Sequence, residues 1–202
     1  MKPLLNILKL CLIIITLSIL AYGIASFSTE LPVNDGGLSY PIHYRTEFTH
    51  YATIQRKDGT IRDLYVNSVG LSAIENNQPF PSGTVLVIES YSAQQNKSGE
   101  YRVDENGWYI KGDQFPMIHI REKRTRWASD DFISDTRNGS WNVGSFNTQT
   151  GQRFDESLDA CFHCHSTART DFTYSVNELA DFTKLGQVQH ILCTTTGRTP
   201  CE

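Results

Sequence analysis

The sequence predicts an α+β fold, in which a mainly antiparallel sheet is accompanied by a few short helices. Aromatic residues make up 11% of the chain, and through its middle they alternate with polar residues, as half-buried strands require. The turn-forming pairs Asp58-Gly59 and Asn138-Gly139 separate short runs of β-branched residues, which is typical of hairpins. No internal repeat interrupts the pattern, so we expect a single folded domain after the N-terminal segment.

Residues 1–27 are typical of an export signal. Lys2 and Lys9 precede a nearly continuous apolar run over residues 10–21. Small residues at Gly23 and Ala25 then suit cleavage after Ala25.

An uncleaved N-terminal membrane anchor is the open alternative, because a helix over residues 10–27 would span about 27 Å. Both interpretations give the same topology, since the two lysines stay on the cytoplasmic side. We therefore expect residues 28–202 to form one domain in the periplasm.

The first half of this domain contains a predicted hairpin, a helix and a buried strand. Residues 50–55 and 60–66 flank Asp58-Gly59 and predict the hairpin. Residues 69–76 predict a short helix, which ends before a run of prolines. Residues 84–91 are almost continuously apolar or β-branched, which predicts a strand buried on both faces.

The second half predicts further strands. Residues 92–106 are polar and are expected to form a loop or a long hairpin end. Residues 108–111 and 115–121 predict a strand pair around Gly112-Asp113, and residues 141–146 predict another strand.

A C-x-x-C-H motif, formed by Cys161, Cys164 and His165, carries the strongest functional signal in the chain. Two thiols at this spacing can bond covalently to the vinyl groups of one haem. The adjacent histidine can then supply an axial imidazole to the iron. The sequence therefore predicts one covalent haem c with His165 as its metal ligand.

The motif is expected to lie on a helix with Asp155 as its N-cap. Leu158, Cys161, Phe162 and His165 would then share one helix face. On that face, Phe162 would pack beside the porphyrin while His165 points at the iron.

The C-terminal part predicts one more helix and a disulfide. Ser175 and Glu178 match a capping box that opens a short helix to Phe182. In an exported protein, Cys193 and Cys201 are expected to form a disulfide.

Two alternatives to haem remain open at the motif. A C-x-x-C pair can be a redox dithiol, and it can also be half of a zinc site completed by the two C-terminal cysteines. The adjacent His165 favours haem, and zinc thiolates are less expected in an oxidising compartment.

The charged segment over residues 121–127 has two interpretations. It is expected to be a solvated strand end, as most charge runs are. Alternatively, Arg121, Arg124 or Arg126 pairs with a carboxylate of the haem.

Several segments, in this order, resemble the cytochrome P460 / cytochrome c-prime-beta family. The matching pieces are Tyr44-Arg45, residues 62–66, residues 83–85, residues 122–125, residues 137–139, and the C-x-x-C-H with residues 171–175. The resemblance implies a mostly β domain, commonly a homodimer, with one c-type haem held by the motif histidine and an open opposite face. Family members oxidise hydroxylamine or bind small gases such as nitric oxide.

Two family features of the hydroxylamine-oxidising members have no counterpart here. Their porphyrin-linking lysine corresponds to Ile88, which has no nucleophile, and residues 115–120 offer no distal carboxylate. We therefore expect an ordinary c haem with a largely apolar distal face. Met117 and His119 lie on one side of their strand by alternation, and either could be a sixth ligand. Glu89 is expected to face away from Ile88.

Two classes of function follow, and a third lies outside the haem interpretation. The chain is predicted to bind a small gas or transfer electrons to a redox partner, or else to oxidise hydroxylamine or a related nitrogen compound. A small zinc or disulfide domain is the outside alternative. The formal net charge of −4 and the absence of a basic stripe argue against nucleic acid as a partner.

Overall fold

The structure, a computed structural model, describes residues 37–127 and 137–193. The predicted export segment and Cys201 lie outside the described residues. None of the described helices combines the length and apolar character needed to cross a bilayer.

One six-stranded sheet forms the frame of the domain, in the order β5-β4-β3-β2-β1-β6. Neighbours from β1 to β5 are antiparallel, whereas β6 runs parallel to β1, so the sheet is mixed. The strands are β1 Thr49–Arg56, β2 Thr60–Val66, β3 Val85–Ala93, β4 Lys111–Lys123, β5 Trp141–Asn147 and β6 Gln189–Cys193.

In the described residues, four short helices accompany the sheet, which confirms the α+β prediction. They are α1 Tyr44–Glu47, α2 Ser68–Glu75, α3 Asp159–Ser166 and α4 Val176–Leu185. The Asn67 side chain caps α2 by accepting a hydrogen bond from the Gly70 amide at 3.1 Å.

Alternation along the strands gives the sheet two different faces. The face that we call the helix face carries Leu64, Ile88 and His119, which the register places opposite one another, and α2 and α4 pack against it. The other, the N-terminal face, carries Ile120 and is covered by residues 38–48.

The predicted hairpin is confirmed, but the predicted strand pair around Gly112 is wrong. Gly59 has φ +78° at the tight turn between β1 and β2. Gly112 instead lies inside the continuous strand β4, next to β3. A Cβ atom there would be 3.1 Å from the Ser92 carbonyl oxygen, so this glycine marks a close backbone approach and not a turn.

One predicted helix start and one predicted helix cap need correction. Helix α3 begins after Leu158, so Asp155 is not its N-cap. Helix α4 does begin after Ser175, but the Ser175 side chain makes no capping bond and contacts the Tyr51 hydroxyl at 2.7 Å instead. The helix also continues past Phe182 to Leu185.

Strand β6 was not predicted, because its partner β1 lies near the start of the domain. Ile54 pairs with Ile191 and Arg56 with Cys193 across this junction. Cys193 is disulfide-bonded, while the pairing with Cys201 stays a prediction.

Candidate functional site

Helix α3 brings the two motif cysteines and His165 together. Cys161 is half-buried, Cys164 is exposed, and both are free thiols. Burial, followed by the charges of Glu156 and Cys164, raises the pKa of the Cys161 thiol. Because neither thiol is in a disulfide, both cysteines are available for covalent chemistry.

The His165 ring is held through one of its two nitrogens. Nδ1 lies 2.8 Å from the Phe172 carbonyl oxygen, which can only accept, so Nδ1 carries the proton. Burial, reinforced by the charge of Arg121, lowers the pKa of His165 to about 4. The imidazole is thus neutral near pH 7, and the lone pair on Nε2 is available to a metal.

Apolar contacts fix α3 on the sheet. Phe162 is 2% exposed and packs with Leu158 against Val143 of β5. This burial anchors the helix that presents His165. The predicted contact of Phe162 with a porphyrin stays a prediction.

The loop that supplies the Phe172 carbonyl has an unusual backbone. Asp171 and Phe172 have φ values of +49° and +55°, in the left-handed region that bulky residues rarely adopt. Lys123 pairs with Asp171 at 2.8 Å, and a Cβ atom on Gly139 would lie 3.0 Å from the Phe172 ring. Tertiary contacts therefore hold the loop in a strained conformation beside His165.

Arg121 is buried beneath this loop, which contradicts the predicted solvated edge at this residue. Its Nη1 donates to the Phe172 carbonyl oxygen at 2.7 Å and to Thr173 Oγ1 at 3.1 Å. The guanidinium lies 4.7 Å from the centre of the Trp141 ring, and burial lowers the pKa of Arg121 to about 10. Within residues 37–127 and 137–193, its Nη2 has no hydrogen-bond partner.

The remaining part of the charged segment is closer to the prediction. Arg124 donates two hydrogen bonds to Glu122, at 2.5 and 2.9 Å, and covers the Trp127 ring. Arg126 is exposed.

The residues predicted to lie opposite His165 share the helix face of the sheet. His119 is directly opposite Ile88 on one side and Ser145 on the other. Met117 is two positions from His119, so the two do lie on the same side of β4. All three predicted residues, Ile88, Met117 and His119, are half-buried.

This face is more polar than the sequence suggested. Burial lowers the pKa of His119, and the charge of Arg62 lowers it further, while Glu156 opposes both. Between Met117 and Lys123, the side chains of β4 that point to this face include no carboxylate. Glu89 lies on the N-terminal face, as alternation predicted.

Arg62 is the residue at this site that sequence reasoning did not single out. It shares the helix face with Leu64, and its positive charge acts on Cys161, Cys164 and His165. Burial, followed by the charge of Arg56, lowers its pKa. The signal in the sequence was its position two residues before Leu64, which places both side chains on the same face of β2.

The zinc alternative finds no support in the described part of the chain. There, no three side chains of His, Cys, Asp or Glu are grouped as metal ligands would be. The disulfide at Cys193 also removes one of the four proposed thiolates.

Comparison with known proteins agrees with the site. The family model Cytochrome P460 matches residues 41–175, from just before α1 to the residue before α4. No curated protein matches the chain. This membership implies a haem cofactor, and the chain belongs to the cytochrome P460 family of haem-binding cytochromes.

Proposed function

We propose that this chain is an exported c-type cytochrome with one covalently attached haem. It transfers electrons, binds a small gas such as nitric oxide, or does both. His165 is the proximal iron ligand in this proposal, and Cys161 and Cys164 carry the covalent bonds.

The observation that carries the proposal is the state of the His165 ring. Histidines that bind metals usually donate their other ring N–H to a carbonyl or carboxylate, and Phe172 provides that acceptor at 2.8 Å. The hydrogen bond fixes the tautomer and leaves Nε2 unprotonated. The residues present therefore fit an iron-bound imidazole.

The two free thiols on α3 suit covalent attachment. Cys161 and Cys164 would each add an S–H bond across one vinyl group of the haem. Each addition forms one C–S bond and places the hydrogen on the neighbouring carbon, so no oxidant is consumed. When bound, the haem supplies an iron centre that changes oxidation state and accepts diatomic ligands.

The helix face of the sheet favours gas binding or electron transfer over hydroxylamine oxidation. Ile88 cannot form the porphyrin cross-link, and β4 directs no carboxylate to this face between Met117 and Lys123. His119, kept neutral by its lowered pKa, could bind iron as a sixth ligand or donate a hydrogen bond to a bound gas.

The cellular setting belongs to the same proposal. Residues 1–27 would direct the domain to the periplasm, as a cleaved signal or as an anchor. The family resemblance supports a homodimer, and electron transfer requires a redox partner protein.

The covalent haem is tested with the double variant Cys161→Ser/Cys164→Ser. Wild-type protein should keep its haem through acid-acetone extraction, whereas the double variant should release it. A double variant that retained its haem would contradict thioether attachment. His163→Ser, an exposed neighbour on the same helix, is the control and should behave as wild type.

The sixth ligand is tested by ferric and ferrous absorption spectra with and without nitric oxide, using wild type, Met117→Leu and His119→Ala. If one of these residues binds iron, its variant should change from a six-coordinate to a five-coordinate spectrum. Wild type that is already five-coordinate and binds nitric oxide directly would favour gas binding. A red-shifted ferrous band, typical of cross-linked family members, would contradict the unmodified porphyrin.

A further inference from the structure

We propose that Arg121 is a positioning residue that tunes the haem iron from the proximal side, through the carbonyl that it shares with His165. The inference rests on the proposed function, since it requires His165 to be the iron ligand. Neither the motif nor the family membership assigns this role to Arg121.

The geometry centres on one oxygen atom. The Phe172 carbonyl accepts from His165 Nδ1 at 2.8 Å and from Arg121 Nη1 at 2.7 Å. A carbonyl oxygen has two lone pairs, so both bonds can exist together. The oxygen thus links the imidazole to a buried guanidinium.

The two donors compete for the electron density of this acceptor. A hydrogen bond from the Nδ1–H group to a strong acceptor makes an imidazole more basic and strengthens its bond to a metal. Because the charged Arg121 is the stronger donor, it draws electron density from the oxygen and weakens the hydrogen bond that this oxygen accepts from His165. Arg121 therefore weakens electron donation from His165 to iron.

The charge of Arg121 acts in the same direction. The guanidinium is 5% exposed and is the cation with the larger effect on His165, with Arg62 second. A nearby buried cation disfavours the ferric state, which carries one more positive charge than the ferrous state. Both effects raise the reduction potential.

The carbonyl cannot easily turn away from either donor. Its residue has φ +55°, and the preceding Asp171 is tied to Lys123 at 2.8 Å. Lys123 itself donates to the Phe80 carbonyl at 2.8 Å. Because the loop is fixed in this way, loss of the Arg121 hydrogen bond changes the hydrogen bond made by His165 and is not offset by a movement of the loop.

The test compares Arg121→Met with Arg62→Met. Both variants remove one positive charge from the helix face near His165, but only Arg121 contacts the Phe172 carbonyl. The readouts are the reduction potential, from spectroelectrochemistry, and the iron–histidine stretching band of the ferrous protein, from resonance Raman spectroscopy. If Met117 or His119 binds ferrous iron, both variants are made in a background that removes that ligand.

Arg121→Met should shift the ferric/ferrous equilibrium towards ferric on the order of tenfold, or about 59 mV for one electron. It should also move the iron–histidine band to higher frequency, because the Phe172 carbonyl then accepts a hydrogen bond from His165 alone. Arg62→Met should lower the potential without moving the band. A band at the wild-type frequency in Arg121→Met would overturn the inference.

Arg121→Lys covers the case in which Arg121→Met does not fold. Lysine keeps the charge but lacks the planar fork that reaches Phe172 and Thr173 together, so the band should rise and the potential should fall by less than in Arg121→Met. An unmoved band in Arg121→Lys would then count against the proposal. Wild type without a covalent haem, or without an iron–histidine band, would instead contradict the proposed function itself.

Discussion

The two faces of the central sheet differ in the sign of their buried charges and in how those charges are paired. On the N-terminal face, two carboxylates, Asp63 and Glu89, lie directly opposite each other on neighbouring strands. On the helix face, the cations that act on the residues of α3 are Arg121, which is buried, and Arg62, which is half-buried. The most deeply buried charges on the two faces therefore differ in sign, with carboxylates on the N-terminal face and Arg121 on the helix face.

The carboxylates are locally compensated. Glu89 is fully buried, and its Oε1 accepts hydrogen bonds from Arg45 and Gln114. Asp63 accepts from Thr53 at 2.7 Å and pairs with Lys111. Such pairs are structural, since each charge has a partner that belongs to the protein.

The charge of Arg121 is not compensated in this way. Arg121 donates to the neutral oxygens of Phe172 and Thr173 and, among the described residues, to no carboxylate. Its Nη2 has no hydrogen-bond partner within the described ranges, and neither has Glu89 Oε2. A buried cation without a full set of acceptors costs free energy in the isolated chain. The comparison shows that the buried carboxylates are paired with cations of the protein, whereas Arg121 is held by neutral oxygens.

The largest expected effect concerns the buried carboxylate of Glu89 on the N-terminal face. Arg45→Met leaves Glu89 buried without its cation, and should lower the free energy of unfolding by about 2–3 kcal/mol, less than for a fully buried pair because the Arg45 side chain is half-exposed. Urea unfolding measures this. The double variant Arg45→Met/Glu89→Gln should recover most of the loss. Haem absorption should stay that of wild type in both, and a changed spectrum would show that the two faces are coupled.

The pH dependence of stability tests the other carboxylate. Burial raises the pKa of Asp63, but hydrogen bonds from His50, Lys111 and Thr53 outweigh it and lower the pKa to about 2. Because the folded value lies below the unfolded one, the stabilisation is complete above about pH 4 and is lost as the pH falls towards 2.

Asp63→Asn should therefore cost about 2 kcal/mol at pH 7 and about half of that at pH 3. Urea unfolding at both pH values measures the difference. Asp113→Asn, which changes an exposed carboxylate on β4, is the control and should show little difference at either pH. An Asp63→Asn deficit that is independent of pH would exclude the ion pair as its cause.

The smallest predicted effect sharpens the description of the helix face. Gly139→Ala places a Cβ atom 3.0 Å from the Phe172 ring at φ +60°, and should cost about 1–2 kcal/mol. Gly99→Ala is a matched control, because its φ is +82° but no atom lies within 4 Å. Only Gly139→Ala should also shift the haem reduction potential, through Phe172 and His165. If both variants lost the same stability and shifted the reduction potential equally, backbone strain alone would explain the result.

The sequence predicted the parts of the fold that depend on local pattern. The Asp58-Gly59 turn determined the first hairpin, and alternation placed Met117 and His119 on one side of β4. The C-x-x-C-H spacing likewise identified the helix that carries His165. In each of these, residues near in sequence supply the physical cause.

The buried charge on the helix face could not be predicted in this way. Arg121 begins a run of charged residues, and its acceptors, Phe172 and Thr173, lie far along the chain. The left-handed conformation of Asp171 and Phe172 has no glycine to signal it. The shared carbonyl is a backbone atom, so no side-chain motif records it.

The position of β6 also affects the order in which the domain folds. Strands β1 to β5 form successive hairpin-like pairs that can assemble through contacts between sequence neighbours, whereas β6 must find β1 across the whole domain. We expect the amide groups of β6 to be the last in the sheet to gain protection in pulse-labelled hydrogen exchange during refolding. Simultaneous protection of β6 and β2 would contradict this order. In the expected order, Cys161 and Cys164 are exposed at a stage when β1 is still an unpaired edge strand.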